Sequence, residues 1–331
     1  MKLSILDQSP IMRGSSPREA LEASVTLAQL GEQLGYTRYW VAEHHDMAGL
    51  ACPAPEVMLS YIGAHTKTMR IGSGAVLLPH YKPYKVAETF NLLATLFPGR
   101  IDLGVGRAPG GSAEASIALS GNFLENVRQM PDNLQALIHF LNNDFPADEM
   151  FSKIKASPQP DESPELWLLG TSNKSAKLAA EKGTAYAFGH FMSDDDGPKS
   201  VADYKKDFQT NGQFKHPQAL VAVSVICAET TKEAEDIAYA VAIGNLQREK
   251  DFRHVGYPTV EEAKGYSLST DEKEKLQESA KKVIVGNPAQ VKTELLQLQE
   301  RYQTEELMII TLTPTYEERL RSYRLIAEEL L

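Results

Sequence analysis

Glu43, His44 and His45 stand side by side at the end of an apolar run, RYWVAEHHDM from Arg38 to Met47. A carboxylate with two imidazoles can ligate a metal, pass protons, or simply finish a strand. A catalytic metal needs at least three ligands converging on one point. Neighbouring side chains on an extended segment point to opposite sides, so His44 and His45 cannot easily share an ion, and the chain has no His-Glu-x-x-His stretch. From the residues alone, two uses stay open: proton handling by the histidine that faces a site, and hydrogen-bonded support by the other.

A second group has the chemistry of an anion clamp. Arg107 sits in DLGVGRAPGG (Asp102–Gly111), where Gly104 and Gly106 suggest a dinucleotide loop but Pro109 takes the third glycine position. A guanidinium at a strand's carboxyl end can grip a phosphate or carboxylate at two points. The plainer reading is a structural ion pair. In LLGTSNKSAKLAAEKG (Leu168–Gly183) a strand enters Gly170-Thr171-Ser172 and a helix begins near Asn173. Helix-start N–H groups with the hydroxyls of Thr171, Ser172 and Ser175 would form a phosphate-sized site. Ser/Thr capping alone would explain the same residues. Taken with Arg107, a phosphate-bearing ligand is the better reading.

The elements that must carry these groups can be read from periodicity and caps. Short apolar runs at Leu3–Leu6, Tyr39–Ala42, Arg70–Leu78, Arg100–Val105, Leu166–Leu169, Ala185–Phe188, Leu220–Cys227 and Leu307–Leu312 alternate with helical patterns. Ser16, Pro17 and Glu19 open the first helix as a capping box, and Gly35 closes it. Helices are also expected around Pro55–His65, Pro83–Leu96, Lys174–Lys182, Val201–Gln209, after Thr230 with Glu233, and over Tyr316–Leu330. Strands this apolar are buried on both faces, as in parallel sheets. The expected fold is therefore α/β: a (β/α)8 TIM barrel in one domain, with inserts at Ala108–Ser163 and Ile243–Asn287. The rival is an open doubly wound sheet. It should carry a glycine fingerprint after the first strand, where DQSPIMRG stands instead.

A barrel collects its chemistry at the carboxyl ends of its strands. Those positions hold Asp7, Gln8 and Ser9; Glu43, His44 and His45; His80; Arg107; Gly170, Thr171 and Ser172; Gly189, His190 and Phe191; Glu229; Thr311 and Thr313. The balance of 34 basic against 44 acidic residues, net −10, argues against a nucleic-acid or anionic-membrane partner. The two cysteines, Cys52 and Cys227, read as reduced, and the absence of a secretory run or an 18-residue apolar stretch points to the cytoplasm.

Five blocks in order carry a resemblance: YWVAEHH (Tyr39–His45), APEV (Ala54–Val57), IGSGAVLLPHYKPYKVAE (Ile71–Glu88), LFPGRIDLGVGRAPG (Leu96–Gly110), and LWLLGTSNKSAKLAAEKG (Leu166–Gly183) with AYAFGHF (Ala185–Phe191) behind it. VGNPAQVKTEL (Val285–Leu295) adds a further match. The chain resembles the bacterial luciferase-like superfamily of flavin-dependent monooxygenases, most nearly its single-subunit alkanal-monooxygenase-like oxidoreductases.

The resemblance implies a TIM barrel that binds FMN, supplied in reduced form by a separate flavin reductase. With O2 it would oxidise a small organic substrate through a C4a-peroxyflavin. Carried over by position, Arg107, Gly170, Thr171, Ser172 and Ser175 would hold the ribityl phosphate. Gly74–Ala75 matches a non-proline cis peptide beneath the isoalloxazine. His44 matches the histidine credited with proton transfer, His45 remains support, and Glu43 anchors the strand end or a flavin edge. Phe191, Met192 and the inserts would keep water out. A homodimer is implied as well.

The chain departs from the luciferases in three places. Gly106 replaces their reactive cysteine, the glutamate at the Thr171 position is absent, and their second phosphate-binding arginine has only Arg128 as a candidate. Three alternatives stand beside the monooxygenase: a deazaflavin-dependent hydride-transfer enzyme, a barrel that only stores flavin, and a phosphate-ester barrel enzyme. The substrate lies in the inserts and is not legible. The charged stretch REKDFRHVGYPTVEEAKGYS (Arg248–Ser267) reads equally as a lid or a solvated loop.

Overall fold

The computed structural model describes residues 1–210, 212–251 and 253–331; Phe252, within the charged stretch above, lies outside them. Ten strands are found there: β1 (Lys2–Asp7), β2 (Arg38–Val41), β3 (Arg70–Ser73), β4 (Val76–Leu77), β5 (Ile101–Gly106), β6 (Glu165–Gly170), β7 (Ala185–Gly189), β8 (Ala219–Cys227), β9 (Val283–Gly286) and β10 (Glu306–Ile310). Every pairing between them is parallel. The ring runs β1-β2-β3-β5-β6-β7-β8-β10 and closes through β10 on β1. This is the expected (β/α)8 barrel with helices outside, and the open-sheet rival is set aside by that closure.

Local signals act where the sequence puts them. Ser16 caps the helix Pro17–Leu34 reciprocally with Glu19, and Gly35 ends it at a left-handed φ of 89°. Thr230 caps Thr231–Lys250 through the Glu233 N–H. Two differences concern strands. The expected third strand, Arg70–Leu78, is broken: β3 and β4 flank the Gly74–Ala75 peptide, which is cis, and Leu78 already belongs to a short 3-10 turn around Pro79. A further strand, β9, pairs with the upper half of β8 outside the ring. Its four residues are mostly half-buried and follow a charged helix, so their pattern lacks the full apolar signature of the staves.

The barrel interior is layered by residue size and charge. At the amino-terminal end Arg38 donates to Asp102 (2.8 Å) and to Glu306 (2.7 Å), and Arg70 donates to Asp102 (2.8 Å). Buried charges are tolerable because each has its partner. Above them Trp40 and Trp167 meet edge to face with centroids 5.4 Å apart, and the Trp40 indole N–H donates to Asp102. Glycine makes room for this plug: a Cβ at Gly72 would lie 2.6 Å from Asp102 and 2.8 Å from the Trp40 indole nitrogen. Toward the carboxyl ends the inward positions shrink to Gly74, Gly106, Ala187, Gly189 and Ala222, and the barrel opens into a cavity.

The inserts are built largely of helix. The first holds Ala113–Ser120, Phe123–Arg128 and Met130–Asn142. The second begins inside the helix Thr231–Lys250 and adds Val260–Lys264, Thr270–Ala280 and β9. It is tied down by ion pairs of Lys250 with Glu272, Lys275 with Glu249 and Arg13 with Glu262. No helix among the described residues is long and apolar enough to cross a membrane. Cys52 and Cys227 are free and buried, and burial pushes each thiol up to about 12.

Candidate active site

The cavity at the barrel mouth has a volume of about 380 Å³. Leu6, Trp40, Leu169, Leu220, Ala222 and Met308 form its floor and lower walls, and Phe191 and Met192 line it as expected from their place after β7. Gly74, Ala75, Gly106, Arg107, Gly170, Thr171, Ser175, Glu43 and His44 also border it. The staves β2 to β7 therefore supply nearly all of its polar groups.

Gln8, after β1, also lines the cavity, whereas Asp7, Thr311, Thr313 and Glu229 at the remaining strand ends are occupied by structure. Asp7 is buried, accepts from Arg319 (2.7 Å), Tyr39 (2.6 Å) and the Ser9 N–H (2.8 Å), and is held below the ordinary carboxylate range against the opposing effect of burial. Thr311 donates to the Val225 carbonyl, and Thr313 to that of Thr315. Glu229 pairs with Arg321 at the surface.

The Glu43-His44-His45 triplet divides its labour as alternation requires. The Glu43 side chain is wholly buried. One oxygen accepts the Leu77 N–H (3.0 Å), and the other accepts the Tyr81 hydroxyl (2.8 Å) and lies 2.7 Å from His45 Nε2. The carboxylate is thus a brace that ties the end of β2 to β4. His45 faces away from the cavity, bonded to Glu43 and with its ring 5.8 Å from that of His80.

His44 borders the cavity. Its backbone is fixed by an N–H bond to the Cys52 carbonyl, while its Nδ1 is buried with no hydrogen-bond partner. Burial, with the nearby charges of His45 and Arg248, pushes this imidazole down to about 4. It is neutral at pH 7, a proton acceptor or hydrogen-bonding group rather than a resident imidazolium. Among the described residues no three His, Cys, Asp or Glu side chains converge as a metal-ligand set.

The groups expected to form an anion clamp come from the ends of β5 and β6. Arg107 is exposed at the cavity edge and forms no ion pair or hydrogen bond among the described residues, so the structural-pair explanation for it has no partner. The helix Asn173–Lys182 starts at the same wall. Ser175 Oγ donates to the Ser172 carbonyl (2.7 Å) and stands 3.0 Å from the Tyr186 hydroxyl. Capping is therefore real, and Ser175 both caps and lines the cavity. Ser172 sets the helix start without reaching the cavity wall. A Cβ at Gly170 would lie 2.0 Å from Ser175 Oγ, so only glycine leaves that hydroxyl in place. Arg128 is exposed and pairs with Glu125 (3.4 Å), away from the cavity lining.

Reading strand ends alone misses the floor. Leu6, Trp40, Leu220 and Met308 belong to the apolar interior and look like any core residue in sequence. The signal that could have found it is the cluster of small inward residues, Ala185, Ala187 and Gly189 on β7 with Ala222 on β8.

The profile of the family described as luciferase-like monooxygenase matches residues 1–305. The N-acetyl-S-alkylcysteine monooxygenase of Bacillus subtilis (strain 168) is 36% identical over 333 residues, covering 100% of this chain and 98% of that protein. The crystal structure of apo-MsnO8 superposes with a TM-score of 0.87 at 33% identity, over 99% of this chain and 98% of that one. Two more distant structures share the fold. One is the oxygenating constituent of 3,6-diketocamphane monooxygenase from the CAM plasmid of Pseudomonas putida in complex with FMN (TM-score 0.70, 20% identity, 100% and 97% coverage). The other is an F420-dependent secondary alcohol dehydrogenase with an F420-acetone adduct (TM-score 0.69, 15% identity, 100% and 99% coverage). With its profile matched over nearly the whole barrel and full-length relatives above 30% identity, the chain belongs to the luciferase-like monooxygenase family.

Proposed function

We propose that this chain is a flavin-dependent monooxygenase that uses reduced FMN and dioxygen to oxidise a small organic substrate. The observation that carries the reading is one cavity with two unlike edges. An unpaired guanidinium stands beside a Ser/Thr-rich helix start at one, and a neutral histidine with an orphaned buried nitrogen stands at the other. Its volume, about 380 Å³, lies in the range of small-molecule and cofactor sites.

In this reading Arg107 and the hydroxyls of Thr171 and Ser175 hold the phosphate, with the positive end of the helix dipole behind them. Gly74, Ala75, Gly106 and Gly170 let a flat ring approach the backbone closely. When bound, reduced FMN supplies the electrons and the oxygen chemistry. His44 accepts or shares a proton at Nδ1, and the Glu43–Tyr81–His45 brace keeps its backbone in register. Leu6, Trp40, Leu169, Phe191 and Met192 exclude water from the reacting atoms. A separate reductase delivers the reduced cofactor. Two copies pair through outer helices, where Val57, Tyr61, Leu92 and Leu96 are exposed.

The test is titration of the purified protein with FMN and with F420, followed by oxygen uptake with reduced FMN over a panel of small organic compounds. FMN binding weakened about 10- to 100-fold in Arg107→Ala is expected from loss of charge-assisted hydrogen bonds. Preference for F420 with oxygen-independent turnover would replace monooxygenation by hydride transfer. FMN binding without oxygen uptake would reduce the protein to a flavin store, and binding of neither cofactor would end the reading.

A further inference from the structure

The strand β9 ends the order of the sheet: it pairs with β8 and with no second strand among the described residues. Its register sets Ile284 beside Val225 and Gly286 beside Cys227. The Gly286 carbonyl accepts the Ala228 N–H, so Gly286, and Ile284 two residues before it, turn their backbone groups toward β8. The facing residues of β8 agree, since the Val225 carbonyl and the Cys227 N–H look the other way, to Thr311 and Ser322. By alternation the N–H and C=O of Val283 and Val285 point away from β8. Neither residue has a hydrogen-bond partner on that side among the described residues.

This free edge lies in a second cleft, of about 800 Å³. The turn His190–Met192 separates it from the cavity at the barrel mouth: His190 lines the cleft, Phe191 and Met192 the cavity. The cleft reaches both faces of β9. Val283 and Val285 stand beside Ser224 and Ile226 on one, and Ile284 shares the other with Val223 and Leu298. Open space on both faces of an unpaired edge is what an added strand fills, its amides meeting the edge and its alternate side chains entering the two faces. Charge gives the cleft a direction. Lys281 and Lys282 directly precede β9, and Arg301 lines the same cleft, against exposed Glu235 and Glu294. Burial, with the charges of Arg301 and Lys282, holds the His190 imidazole below its ordinary value, so these two cations stand at the His190 end. Lys282 reaches Asp194 at the surface, while Arg301 lies over the Tyr302 ring and has no ion pair among the described residues.

We propose that this cleft binds a short apolar peptide by strand addition. The peptide lies antiparallel to β9, pairs its amides with Val283 and Val285, and sets its C-terminal carboxylate at Lys282 and Arg301. The site is distinct from the candidate active site and does not depend on the flavin reading.

Calorimetry of the full chain with acetyl-valyl-alanyl-valine, with and without FMN, tests the proposal. Saturable binding is expected. The same peptide with its carboxylate converted to an amide should bind about tenfold more weakly, the order expected of a lost charged hydrogen bond. Two further peptides carry a methyl on the alanyl nitrogen or on the second valyl nitrogen. One should fail to bind and the other should bind, because only alternate amides face β9. Val285→Pro removes an N–H from the free edge and none from the ladder, so it should keep wild-type circular dichroism and lose the peptide. Arg301→Gln should weaken binding about tenfold. In the wild type the peptide should slow hydrogen exchange at the Val283 and Val285 amides, a readout that needs no variant to fold. Absence of binding, equal effects of the two methylated peptides, or unchanged exchange at Val283 and Val285 would overturn the proposal. Loss of the peptide in Arg107→Ala with retention in Val285→Pro would do so too, by placing it at the barrel mouth. A chain that binds the peptide at this edge but takes up no FMN would support the proposal and refute the flavin reading alone.

Discussion

Acidification should unfold this protein partly through His44. The imidazole has an ordinary value of 6.5 and is pushed down to about 4 in the folded chain by burial, His45 and Arg248. The unfolded chain therefore binds more protons here than the folded chain between those two values, and stability falls as the pH drops through that window. At pH 5 the unfolded imidazole is nearly all charged, while roughly one-tenth of the folded form is. The resulting loss relative to pH 7 is about 2 kcal/mol, growing to about 3 kcal/mol at pH 4. Urea denaturation of the wild type and of His44→Gln at pH 7, 6 and 5 isolates this contribution, because the variant keeps every other titrating group. The wild type should lose about 2 kcal/mol more than the variant between pH 7 and 5. Imidazole NMR titration gives the same answer directly. Parallel losses in the two proteins, or a His44 resonance titrating near 6.5, would refute the enclosure of this side chain as described.

Other perturbations follow from the same contacts. Gly170→Ala puts a Cβ where Ser175 Oγ now stands, at 2.0 Å, so FMN affinity measured by fluorescence titration should drop about tenfold without unfolding. Asp7→Asn leaves the Arg319 guanidinium buried without its counter-charge; a loss of about 3–5 kcal/mol in chemical denaturation is expected. Tyr81→Phe removes one of three bonds to the buried Glu43 carboxylate. It should lower stability by about 1–3 kcal/mol and alter oxygen-uptake kinetics through the position of His44. If the exposed apolar helices form a dimer interface, Leu92→Asp should shift the protein toward monomer in sedimentation velocity, and an unchanged mass would exclude that face.

Much of the scaffold was written locally. The apolar staves, the Ser16–Glu19 capping box, the Gly35 stop and the Thr230 cap all act within a few residues, and the chain shows them before it folds. The same holds for the candidate groups at strand ends, because a barrel fixes which end of a strand meets the cavity. What escaped was short or half-exposed, such as β9, or drew its meaning from a distant partner.

The partners were decided by tertiary structure. Asp7 looks like a catalytic carboxylate at a strand end, and only closure of β10 onto β1 brings the Arg319 side chain of the final helix to it, 312 positions away. Glu43 could have faced a ligand, but the register of β4 and the Tyr81 hydroxyl claim both its oxygens. Arg107 is the converse: at the cavity edge it has no ion pair or hydrogen bond among the described residues, which no local pattern can reveal. Periodicity and capping are short-range, so sequence determines which elements form and which ends carry polar groups. Strand register and ring closure join residues hundreds of positions apart, and these decide which charges are neutralised and which remain open to a ligand.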